Sequence, residues 1–148
     1  MPERDWQDWR DWDAIHRRMF CDEDGNFISR EQWMELKMRG DSHIASDYFH
    51  SPKHKLIHVS TIWTGLNTAV MPETPPLIFE TMVFFDGGVH ETMSARYCTK
   101  DQALAGHQEF IEQAEELYGP LRKLKTPTTV EEMIEWENMM GGDDDGQA

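Results

Sequence analysis

The stretch that decides the fold runs from Leu56 to Tyr118: LIHVSTIWT (56–64), LIFETMVFF (77–85), MSARYCT (93–99) and KDQALAGHQEFIEQAEELY (100–118). The first three segments are rich in β-branched and aromatic residues and are divided by turn-forming stretches, so they read as strands. In LIHVSTIWT, Ile57, Val59, Thr61 and Trp63 share one face, and Leu56, His58, Ser60, Ile62 and Thr64 the other. The first set is the more apolar and is expected to meet a helix. LIFETMVFF is apolar on both faces apart from Glu80 and Thr81, which suits a central strand. In the fourth segment Leu104, His107, Ile111, Ala114 and Tyr118 recur at helical steps. Thr99 and Gln102 form a T-x-x-Q capping box in front of it, and Gly119-Pro120 stops it. This helix is expected to cover one face of the sheet.

Upstream, HIASDYF (43–49) is open between a strand and a short helix; Tyr48 and Phe49 favour a first strand, turned back by HSPKHK, where Pro52 blocks a helix. Before it, Ser29 and Gln32 form a second capping box, and the helix they open runs from Arg30 to Arg39 and stops at Gly40. CDEDGN (21–26) shares Asp22, Asp24 and Asn26 with a calcium loop. It lacks the turn glycine and places Gln32 where the bidentate glutamate belongs, so a turn is expected and a metal site is not. At the start, Trp6, Trp9, Trp12, Ile15 and Met19 fall on one drifting helical face. Two readings stay open for it: a helix docked on the sheet, or an aromatic surface for a partner. Arg17 and Arg18 suit the negative end of that helix. Downstream, LRKLKTPT (121–128) reads as a basic connector, Thr129 opens a last helix to Met140, and GGDDDGQA is expected to be a disordered tail.

The expected fold is α+β: a three- or four-stranded antiparallel β-meander packed by the helix on its C-terminal side, with flanking terminal helices. The chain divides into a Trp-rich helix (1–21), one α+β domain (22–125) and an acidic helix and tail (126–148). An exposed sheet edge suits a homodimer.

Composition narrows the function. Of 148 residues, 28 are acidic and 14 basic, for a net charge of −14, and half of that excess lies in residues 126–148, which hold seven acidic residues and no basic one. Phosphate-backbone binding needs a basic face, so no direct nucleic-acid binding is expected, and mimicry of nucleic acid is a minor alternative. Cys21 and Cys98 match no metal or redox spacing. No apolar run approaches membrane-spanning length and the start MPERDWQDWR is no signal peptide, so a cytoplasmic chain that binds no membrane is expected.

Candidate chemistry is sparse. Glu80 stands in the most apolar strand, where an unpaired carboxylate is costly, and Arg96 in the next strand is its natural partner. A ligand pocket under the long loop Gly65–Pro76 would use Glu80, Arg96, Tyr97, Trp63 and Asn67. The histidines give no metal site: His54 and His58 would stand about 13 Å apart along a strand, and His50 and His54 flank Pro52. His107, on the apolar helix face, reads as a hydrogen-bonded core residue. No nucleophile elbow, C-x-x-C, Walker or dinucleotide pattern is present, so no catalytic residue and no cofactor is assigned, and the reading leans against an enzyme.

Taken together, VSTIWTGLN, PPLIFETMVFFDGG and RYCTKDQALAGHQEFIE resemble a family of small uncharacterised proteins of tailed bacteriophages and prophages, in which a VSTxWxGL strand precedes PPLIFETMVF and RYxT…ALAGH. GNFISREQWMEL resembles the lead-in of that family, and the resemblance covers about residues 25–115. Thr64-Gly65-Leu66-Asn67 departs from the family's Leu-Gly-Leu-Asp-His, so no site on that Asp–His pair carries over. The resemblance implies a phage-encoded accessory protein in the host cytoplasm and no particular activity. The expected function is non-enzymatic binding of a host or phage protein, with Trp6, Trp9 and Trp12 as the contact residues. The alternative is sequestration of a nucleotide signal, in anti-defence, at the Glu80–Arg96 pocket.

Overall fold

The structure is a computed structural model and describes residues 17–69, 74–86 and 91–141. The Trp6, Trp9 and Trp12 face, residues 87–90 and the tail after Gly141 lie outside the described residues. The elements in order are α1 (Arg30–Met38), β1 (His43–His50), β2 (Ile57–Trp63), β3 (Phe79–Phe85), β4 (Glu91–Tyr97), α2 (Lys100–Tyr118), β5 (Arg122–Leu124) and α3 (Val130–Gly141). The fold is α+β. Its sheet is antiparallel, in the order β4-β3-β2-β1-β5.

Both capping boxes form. Ser29 and Gln32 exchange side-chain-to-backbone bonds at the start of α1, and Thr99 and Gln102 do the same at α2. Each box satisfies two amides that a helix start leaves without partners. Thr129 accepts the Glu132 amide at the start of α3. Asp22 accepts amides from Asp24 and Asn26 and the Asn26 side chain, so both its carboxylate oxygens are spent on the turn.

The alternation read from LIHVSTIWT holds: Ile57, Val59, Thr61 and Trp63 are buried, and the residues between them are half-buried. α2 lies on that face, against β1 to β4. One departure stands out. The sheet has five strands, because Arg122–Leu124, expected as connector, pairs with Tyr48–His50 at the β1 edge. Its basic residues conceal a strand that is held by backbone bonds, with Lys123 turned towards Asp47. β3 is an interior strand as expected, paired with β2 and β4.

Two apolar clusters fill the space under α2. Cys21, Trp63, Ile78, Phe79 and Ala103 form one, joined by Trp33, Leu36, Ile44 and Tyr97. A bulge between His43 and Ala45 accompanies Ile44's place in this cluster. Phe49, Ile57, Val59, Val83 and Ala114 form the other, with Phe110, Ile111 and Tyr118 of the helix face packed against it. Gly106 lets α2 approach closely, since a Cβ there would clash with the Tyr97 hydroxyl. No described helix is long and apolar enough to cross a membrane.

Candidate functional site

A chain of polar side chains crosses the core between the two apolar clusters. Thr61 and Thr81 are cross-strand neighbours in β2 and β3, both fully buried, with their hydroxyls 2.6 Å apart. Thr61 Oγ1 lies 2.7 Å from His107 Nδ1, and His107 Nε2 lies 2.8 Å from Asp47 Oδ2. Lys123 Nζ closes the row at 3.2 Å from Asp47 Oδ1, and Tyr97 bonds Thr81 at the other end. Every strand and α2 contribute a member. With the imidazole neutral, a consistent proton order runs through it. Nε2–H donates to the carboxylate, Thr61 donates to Nδ1, and Thr81 donates to Thr61.

The middle of this row is a hydroxyl, an imidazole and a carboxylate in bonding order, the arrangement that activates nucleophiles in hydrolases. Burial decides its role. Thr61 is 0% exposed and His107 5%, so a substrate carbonyl has no approach to the hydroxyl. The row therefore acts as a polar tie across an otherwise apolar layer. Asp47 is driven up by burial. The hydrogen bonds from His107 and Lys123, with their attraction, outweigh that effect and hold its carboxyl below the usual range. Burial pushes the Tyr97 phenol up. The sequence marked His107 as a bonded core residue but gave no sign of Asp47, which stands sixty positions away.

The five residues expected to share a ligand pocket are not brought together. Glu80 and Arg96 are cross-strand neighbours, 3.4 Å apart, on the face away from α2. Tyr97 is the next residue in β4 and packs on the opposite face with Trp63. Trp63 is sealed, at 2% exposure, and the Lys37 ammonium sits 4.7 Å from its ring. Asn67 spends its side chain on the backbone, donating to the Arg18 carbonyl and accepting the Ala69 amide. The described part of the long loop is zipped at its base by Thr64 and Thr68, which bond Ile78 and Leu77.

That same clamp builds a different concavity. Asn67 N donates to Met19, Phe20 bridges to Leu66, and Cys21 bridges to Phe27, so the segment entering α1 is fixed on the core. Beside it opens a cleft of about 950 Å³ lined by Arg17, Arg18, Arg30, Glu31, Phe20 and Phe27, among others. The Arg18 guanidinium lies 4.9 Å from the Phe27 ring centroid. Phe27 is 42% exposed and Leu66, bridged to Phe20, 39%. From the sequence, Arg17 and Arg18 suit a helix end and Arg30 opens the next helix, with no shared site expected. Their clustering around a short loop in so acidic a chain was the available signal.

On the outer sheet face, Tyr48 stacks on His58 at 4.1 Å, Phe84 follows, and Trp136 of α3 meets Tyr48 edge-on. Ser46 bonds His58 Nε2 at 2.9 Å. Burial first, then the charges of His43 and His107, keep the His58 pKa below its ordinary value. Among the described residues, no group of three or more His, Cys, Asp or Glu is arranged to hold a metal ion. In comparisons with known proteins, no family model, no curated protein and no solved structure matches this chain.

Proposed function

We propose that this protein acts by binding another protein, without catalysis, and that the partner is engaged at the cleft beside α1. The observation that carries this reading is the cleft itself, where exposed Phe27 adjoins arginines. Aromatic residues and arginine are the residue types that dominate binding energy at protein interfaces. The backbone clamp through Asn67 supports it, because a site fixed before binding loses less ordering entropy. The sealing of Thr61 and His107 argues in the same direction, since it takes the nearest thing to a catalytic group out of reach. The resemblance to phage accessory proteins suggests a host or phage partner in the host cytoplasm.

Site-specific photocrosslinking tests the reading. A benzophenone amino acid at Phe27 should crosslink one protein in lysate of infected cells, and the same probe at exposed Leu117 on α2 should not. Equal labelling from both positions, or none from Phe27, would remove the cleft as the binding site.

A further inference from the structure

Independently of the cleft, we infer that β4 pairs antiparallel with β4 of a second copy of this chain, about a two-fold axis at Ala95. β4 is the outermost strand of the sheet, and among the described residues β3 is the strand it pairs with. Successive residues of a strand turn their amide and carbonyl to opposite sides. Ile78, leading into β3, donates to the Tyr97 carbonyl at 3.0 Å, so Tyr97, and with it Ala95 and Met93, faces β3. Ser94 and Arg96 therefore turn their N–H and C=O outward, away from the sheet. Cys98 is the next outward residue, and its amide is already taken by the Gln102 side chain. The free edge thus ends where α2 begins. An outward row of this kind is a template for another strand.

The edge is complementary to itself. With Ala95 opposite Ala95 of the second copy, Ser94 meets Arg96 of the second copy, and Arg96 meets its Ser94. Each such pair exchanges N–H···O bonds in both directions, so the ladder uses every outward group that the regular part of β4 leaves free. An axis at Ser94 would bring Thr92 into the ladder, where the β3–β4 register breaks. The side chains agree with the Ala95 register. Met93 meets Tyr97 of the second copy on the α2 side, and Arg96 meets a serine on the other, so no like charges are opposed. That matters in a chain of −14. Residues 91–101 hold two acidic and two basic residues, and Glu80, which pairs with Arg96, adds one acid, so this edge is close to neutral. The opposite edge of the sheet is the three-residue β5, which offers a second copy a shorter ladder. Pairing of β4 with itself also closes, whereas β4 on the other edge would run on into a filament.

The test uses the full chain. Sedimentation velocity from micromolar to millimolar concentration should show the mass doubling and stopping there. Ser94→Pro deletes an amide that has no partner among the described residues of the single copy, at an edge position where proline is tolerated. It should keep the melting temperature of the dilute chain and abolish the dimer. Ser94→Lys sets a lysine against Arg96 of the second copy at both ends of the ladder and should weaken association by about tenfold. Crosslinking reads the register. In a Cys98→Ser background, Ala95→Cys should give a disulfide-linked dimer on mild oxidation, because opposed residues of a non-hydrogen-bonded pair have Cα atoms about 4.5 Å apart. Gln113→Cys, at an exposed position on α2, should not. A monomer at millimolar concentration overturns the inference, and so does growth beyond a dimer. A dimer that both Ser94 variants leave unchanged, or equal disulfide yield from positions 95 and 113, overturns it too. A dimer weakened by Ser94→Lys and linked through position 95 supports it.

Discussion

Replacing His107 with leucine is the sharpest test of how this core is held. The substitution keeps an apolar side chain of similar size on α2 but removes both bonds of the ring, to Thr61 at 2.7 Å and Asp47 at 2.8 Å. The bond to the carboxylate stabilises by about 1.5 kcal/mol, the low end for a charged acceptor. The low end applies because Asp47 is 24% exposed and keeps Lys123. The bond to Thr61 adds about 1 kcal/mol. Thr61 retains Thr81 as a partner, so no hydroxyl is stranded. Leucine returns roughly 0.5 kcal/mol through added apolar burial. The net loss is about 2 kcal/mol, or roughly 4–8 °C in melting temperature for a chain of this size. Urea and thermal unfolding followed by circular dichroism read it directly. The loss should also depend on pH. A carboxyl held below its ordinary pKa contributes stability above the unfolded value, near about 3.9, and loses it as the pH falls through the folded value. Part of what holds Asp47 down is the His107 bond. The gap between wild type and His107→Leu should therefore narrow as the pH is taken from neutral to 3. A loss below about 0.5 kcal/mol, or a gap that widens in acid, would refute the tie.

Gly106→Ala should destabilise by up to about 2 kcal/mol, because overpacking costs about 1–3 kcal/mol and the helix gain returns only about 1. In a Tyr97→Leu background the same alanine should be neutral or stabilising, and stabilisation in the wild-type background would show that α2 does not approach β4 so closely. Thiol titration separates the two cysteines. Cys21 is fully buried, and burial together with Asp22 pushes its thiol up to about 11 despite Arg18, so it should react with Ellman's reagent only after unfolding. Cys98 is half-buried and should react in the native chain, and equal rates at the two thiols would contradict the packing around Cys21.

The parts of the fold legible in the sequence are those with a local signal. Alternation in β2, the capping boxes at Ser29 and Thr99 and the 3.6-residue recurrence in α2 all lie within a few residues of one another. Arg122–Leu124 carried no such signal, because its membership of the sheet comes from the open edge of β1 and not from its own composition. The site failed for a related reason. Arg96 and Tyr97 are expected in one pocket under the Gly65–Pro76 loop, whereas neighbouring strand residues point to opposite faces. Glu80 did find Arg96, since a carboxylate in an apolar strand has few other partners. The cleft depends on Asn67 reaching back to Arg18, and nothing local in either segment announces that contact.

The path of α2 has a consequence for how the chain reaches its final form. It leaves β4 at one edge of the sheet and delivers β5 to the other. Five strands span about 19 Å from first to last at their usual spacing. The nineteen-residue helix is about 28 Å long, so it must cross the sheet obliquely. The four-stranded meander is synthesised first, with Ile57, Val59, Trp63 and Phe79 facing water on one side. A nascent chain halted after Cys98 would be an uncovered layer, with the β1 edge open as well. Emergence of the next 26 residues, to Leu124, covers the apolar side and supplies the partner for that edge. Completion is then expected to come as one late event, and the interval before it is when this chain is most exposed to chaperones and proteases.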